Sequence, residues 1–181
     1  MKRNILVFGL VAGLILGLLT IYITFLSQKE TDSTHSEVVG YTAMVVAFSF
    51  IFVGTKNFRD KYNGGVLSFG KALRLGLGIT LIGSTIYVLA WTIEYYVFIP
   101  DFMDKYSAQM IRDVRASGLS PAEVNKKIAE INRMGDLYKN PVFVILFTYV
   151  EVLPVGIIIS LLTSLLLKRK TPRPGKVQLA A

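Results

Sequence analysis

The 181-residue chain contains no cysteine. That excludes disulfides, thiolate zinc sites, a cysteine nucleophile and a lipoprotein anchor, and it leaves the redox compartment open. Histidine is nearly as scarce. The one histidine, His35, falls in the polar stretch "QKETDSTHSE" and reads as a solvated loop side chain rather than a metal ligand. HExxH, GxSxG and a phosphate-cradling glycine loop are all missing. The sequence therefore predicts no enzyme, no metal and no cofactor.

What is plentiful is apolar sequence. Residues AVILMFWYC make up 52% of the chain, and they are gathered into long runs instead of being spread through amphipathic elements. Four runs are predicted to span a bilayer: residues 5–26 and 38–54 without any charge, 72–99 broken by Arg74 and Glu94, and 142–167 broken by Glu151. Each must be helical, because lipid offers no partner for free backbone groups. The predicted class is thus all-α, a four-helix transmembrane bundle forming one membrane domain over 1–170, with a flexible tail at 171–181. Lys2 and Arg3 before the first run suit a signal peptide. Its 22 residues exceed a signal core of about 7–15, and no small-x-small cleavage site follows, so the span is expected to be retained.

The formal charge of +8 is distributed by side. The two termini and the stretch between the second and third runs carry twelve basic residues and one acid, Asp60. The segments at 27–37 and 101–141 carry eight basic residues against nine acids. Basic flanks stay in the cytoplasm, which places both termini inside. Membrane topology accounts for the charge and no nucleic acid is needed, although "KRK" at 168–170 would attract anionic headgroups. The expected partners are the lipid bilayer and either a second copy or another membrane protein.

Small residues recur every fourth position. Gly9, Gly13 and Gly17 form a ladder in the first run; Ala72, Gly76, Thr80 and Ser84 do so in the third, which also holds Gly83; Gly156, Ser160 and Ser164 do so in the fourth. Such stripes permit close backbone approach, either inside one bundle or between copies. The internal link at 55–71 is basic and turns at Gly64-Gly65. Ser68 is placed to cap the third helix, with Lys71 and Arg74 set to snorkel. Between the third and fourth runs, Met103, Tyr106, Met110 and Val114 keep helical spacing until Gly118. "SPAE" at 120–123 is a capping box that opens a second helix carrying Val124, Ile128 and Ile131. An amphipathic helical hairpin is expected over 101–141, on the outer membrane face or on the bundle top, ended by Asn140-Pro141.

A glycine-rich first run, the link "KNFRDKYNGG…SFGKALRLG" and the exit "YYVFIPDF" together resemble an uncharacterised membrane family of Bacteroidetes-type bacteria, domain of unknown function 4199. The resemblance covers about residues 1–170 and omits the tail "TPRPGKVQLAA". It implies a bacterial inner membrane. It implies no activity and carries over no catalytic residues.

The two acids inside the runs remain to be explained. A carboxylate at mid-bilayer costs about 2.5–3.5 kcal/mol on insertion scales. Glu94 stands among Trp91, Tyr95 and Tyr96, near an interface, and shares a helical face with Gly76, Gly83 and Ala90. Glu151 lies deeper, about 13 Å along its helix from Val142. It sits roughly opposite Gly156, Ser160 and Ser164, three residues before Pro154. Glu94 and Glu151 are expected to share a polar interior, with Tyr22 and Tyr41 as hydrogen-bond partners. Three roles suit such acids: bracing the bundle, handling a proton, cation or small basic ligand, or meeting another subunit.

Overall fold

The computed structural model describes residues 1–27 and 33–170. Among these residues six α-helices follow one another: α1 (Lys2–Ser27), α2 (Ser33–Asn57), α3 (Phe69–Ile93), α4 (Phe102–Ala116), α5 (Pro121–Tyr138) and α6 (Pro141–Leu167). A π-helical turn at Phe58–Tyr62 extends α2, and another at Glu94–Phe98 extends α3. Among the described residues there is no strand, only an isolated bridge between Leu67 and Arg169. The fold is all-α.

Among the described residues, four helical stretches are long and apolar enough to cross a membrane: Lys2–Phe25, Val38–Tyr62, Phe69–Phe98 and Pro141–Leu167. Their bounds correct the sequence reading at two places. The expected link at 55–71 is helical as far as Tyr62, because Phe58 and Arg59 are buried and hold the chain in register. The polar stretch at 28–37 is shorter than expected, since α2 begins at Ser33 and takes in the backbone of His35. The side chain of His35 and the tail at 171–181 lie outside the described residues.

The chain divides into two compact units, Met1–Val88 with Tyr149–Ala181, and Leu89–Thr148. In the first unit, glycines let helices meet at backbone distance. A Cβ at Gly9 would stand 2.7 Å from Ile82 Cβ, and one at Gly13 would stand 2.7 Å from Ile86 Cβ. The first-run ladder is therefore spent on α3, inside this unit, while Gly17 is buried as well. Gly54 receives the ring of Phe8, and Gly78 receives Ile5. On the other side of α3, a Cβ at Gly76 would stand 2.9 Å from Ser160 Cβ, and one at Gly156 would run into the Thr80 methyl. A Cβ at Gly83 would make ordinary contacts with Phe48 and Ala12. Ala12, Leu16, Ala47, Phe48, Ile51, Leu75 and Ile79 fill the centre. With no difference in polarity between core and hydrocarbon, close van der Waals packing is what favours such helix contacts.

One end of this unit is tied by polar groups. Asn4 Nδ2 donates to the Gly54 carbonyl at 2.9 Å. Arg59, 9% exposed, donates to both oxygens of Asp60 and at 3.5 Å to the Leu167 carbonyl. An arginine there meets the negative end of the α6 dipole. Leu67 and Arg169 exchange two backbone hydrogen bonds. Lys71 donates to Asn63 Oδ1 at 2.6 Å and lies 5.3 Å from the centre of the Phe58 ring. The Ser68 hydroxyl does accept from the Lys71 amide, at 3.4 Å.

The second unit holds the helical hairpin. Ser120 accepts from the Glu123 amide, and Glu123 accepts from the Ser120 amide, which completes the capping box. Gly118 adopts φ +71°, which L side chains resist, and α4 stops at Ala116 just before it. The two helices pack together with Ile131 buried and Ile111, Val114, Val124 and Ile128 half-buried, while Tyr106 and Met110 of the expected α4 stripe are exposed; a Cβ at Gly135 would stand 3.7 Å from Ser107 Oγ. Asn140 Oδ1 accepts from the Val142 amide and starts α6.

Candidate functional site

Glu94 opens a π-helical turn. The Ile99 amide donates to the Glu94 carbonyl at 3.0 Å, a five-residue step. Ile99 precedes Pro100, which disfavours helical φ/ψ at Ile99, and the chain widens before it stops. Inserted π turns re-aim side chains and recur at functional sites. Here the turn buries Glu94 to 2% exposure and Tyr95 to 6%. An aromatic cluster surrounds this part of the second unit. Trp91 meets Phe102 edge-on at 5.3 Å, Tyr95 meets Tyr96 edge-on at 4.9 Å, and Tyr138 stacks on Phe147 at 5.4 Å. Met103 and Val144 complete its core, and the Tyr95 hydroxyl reaches the Tyr138 carbonyl at a long 3.5 Å.

Glu151 belongs to the first unit and is exposed. So are Tyr22, at 60%, and Tyr41, at 51%. The expected interior setting of these three is therefore corrected. The reason lies in the helical wheel of α6. Nine residues at about 100° each turn Ser160 to the side opposite Glu151. Gly156, Ser160 and Ser164 fill the buried side, so Glu151 must face away. Pro154 lies inside the continuous helix and is exposed on the same side as Glu151. It has no N–H for the Val150 carbonyl. Tyr41 lines an open groove of its own helix with Val38, Thr42 and Val45.

The buried side of α6 forms a polar seam with α3. Thr80 and Ser160 hydroxyls lie 3.0 Å apart, and Tyr149 donates to the Thr85 hydroxyl at 2.9 Å. Ser164 donates to the Ser160 carbonyl. The Ser84 hydroxyl is buried with no hydrogen-bond partner among the described residues. The fourfold spacing of Thr80 with Ser84 and of Ser160 with Ser164 signalled a close seam; that the hydroxyls also bond across it was not read. Arg59 was missed as a buried group. Its sign in the sequence was the adjacent Asp60, which neutralises it.

Among the described residues, no group of three or more His, Cys, Asp or Glu is placed to hold a metal ion. Residues 7–169 match the family described as "Protein of unknown function (DUF4199)". The chain belongs to that family. The match takes in all of α2 to α6, the link at 58–68 and both acids. No curated protein and no solved structure matches the chain. Membership therefore joins the geometry to a family of membrane-span-like helices and supplies no chemistry.

Proposed function

We propose that this protein is a non-enzymatic, multi-pass component of the bacterial inner membrane that acts by binding a protein partner within the bilayer. Both termini lie in the cytoplasm, and the hairpin of α4 and α5 lies outside. One observation carries the reading: Glu151 is exposed on a span whose buried face is already filled by the α3 seam. Polar side chains on the outer faces of spans act as glue between helices in a bilayer, and Glu151 is such a group on α6. The charge asymmetry, twelve basic residues and one acid against eight and nine, supports the orientation. The basic side also faces anionic headgroups, which adds to anchoring in the bilayer.

The test has two parts. Reporter fusions after residues 65 and 120 should report opposite sides, and the same side for both would overturn the topology. A photo-crosslinking residue at Pro154 should capture protein in native membranes. Adducts with lipid alone would overturn the binding role.

A second reading keeps one supporting observation. Glu94 is buried in a π-helical turn, a setting suited to handling a proton, a cation or a small ligand. Reconstituted vesicles in which Glu94→Gln abolishes a proton or cation flux shown by the natural chain would move the assignment to that class.

A further inference from the structure

We propose that the junction where the link at 58–68 and the start of α3 meet the end of α6 is a binding site for the headgroup of an anionic phospholipid. The proposal rests on the reading of a bilayer-embedded chain. It goes beyond general anchoring by assigning the lipid to one place.

The sequence keeps the cations of this site in two separate stretches, and the fold joins them. Leu67 and Arg169 exchange backbone hydrogen bonds at 2.9 and 2.7 Å. Lys61, Lys71 and Arg74 come from one side of that bridge, and Lys168, Arg169 and Lys170 from the other. Lys71 and Arg169 are half-buried, and the other four are exposed. None of the six makes an ion pair among the described residues. The partners of Lys71 are a neutral amide and a ring, which do not cancel its charge.

Two negative features stand at this end, and Arg59 takes both. Its guanidinium bonds both oxygens of Asp60, the one acid between Val38 and Ile93. It also reaches the Leu167 carbonyl, at the negative end of the α6 dipole. The six cations are left unopposed. Like charges gathered in one place repel, and an anion held among them relieves the repulsion.

The surroundings select a lipid over other anions. The junction stands at the ends of three stretches able to cross a membrane, Val38–Tyr62, Phe69–Phe98 and Pro141–Leu167. Apolar side chains are exposed beside the cations, Tyr62 at 60% and Leu166 at 72%. A phospholipid brings both complements in one molecule: a phosphate for the cations and acyl chains for the apolar groups. A soluble phosphate brings only the charge, and a nucleic acid cannot follow Leu166 into hydrocarbon.

The test follows thermal unfolding of the purified full-length chain in uncharged detergent. Phosphatidylglycerol should raise the unfolding temperature in a saturable way, and high salt should weaken the rise. Phosphatidylcholine of the same acyl chains should not raise it. Each variant is read against its own lipid-free unfolding. Lys61→Gln with Arg74→Gln should weaken phosphatidylglycerol binding about five-fold for each cation removed, and so should Lys168→Gln with Lys170→Gln. Lys2→Gln with Arg3→Gln, on α1, should weaken it by no more than about two-fold, since solvent and salt screen charges outside the junction. Equal losses from all three pairs would mean diffuse attraction and would overturn the site. So would an equal rise with phosphatidylcholine, or with inorganic phosphate at matched ionic strength. Lipid in detergent reaches either end of the chain. Absent binding would therefore end the site and leave the topology intact, and reporter fusions on one side would end the topology and leave the site.

Discussion

Glu94 and Glu151 enter the sequence in the same way, one carboxyl in each of two apolar runs, yet they meet opposite surroundings. Glu94 is held in the second unit at 2% exposure, near the aromatic cluster of Trp91, Tyr95 and Phe102. Glu151 is exposed on α6, across the helix from a buried row of Gly156, Ser160 and Ser164. The difference shows that an acid in a span is placed by what its helix buries. On α6 the small hydroxyl residues let α3 approach closely, and that contact leaves the other side for Glu151. At Glu94 the helix widens into a π turn before Pro100, and the turn buries the carboxyl.

The largest effect expected from disturbing this contrast is on the packed side of α6. Gly156→Leu drives a side chain into Thr80 and should lower stability on the order of 3 kcal/mol, read as a large fall in the thermal unfolding temperature in detergent. A variant that unfolds like the natural chain would mean that the seam does not fix the orientation of α6.

The acids themselves come next. Glu94→Ala removes a buried group and orphans whatever meets it, and should cost about 2 kcal/mol. Glu151→Ala in the detergent-isolated single chain should change unfolding by less than about 0.5 kcal/mol, as exposed positions generally do. Equal costs would erase the distinction between the two sites.

The smallest effect concerns the hairpin. The Ser120 hydroxyl and then its backbone amide bond the Glu123 carboxyl and hold it below the usual carboxylate range. A depressed folded value stabilises the first turn of α5 above the unfolded carboxylate value, about 4.3, and the gain is lost as pH falls through the folded value. Hydrogen exchange in that turn, corrected for intrinsic rates, should therefore speed up between pH 6 and pH 3. Asp101, lowered by its hydrogen bond to Lys105, should act in the same direction at the start of α4. Protection that stays flat with pH would mean the capping box adds nothing there.

Much of this was legible from residue order alone. The four spans follow from run length and bilayer thickness, since hydrocarbon admits only helices of that length. The hairpin was readable from Gly118 and "SPAE", because capping is chemistry between residues three apart. The small-residue ladders announced close contacts. Which helix each ladder meets was decided by tertiary structure: Gly9 and Gly13 meet Ile82 and Ile86, and Gly156 meets Thr80. A stripe of glycines fits any smooth helix, and only the full set of packed faces selects one. The same limit applies to the acids. The sequence determined that Glu94 and Glu151 lie within apolar helices. The tertiary structure buried one and exposed the other, because the rotation of a span follows the sum of its contacts and a single carboxyl is too small a part of that sum to set it.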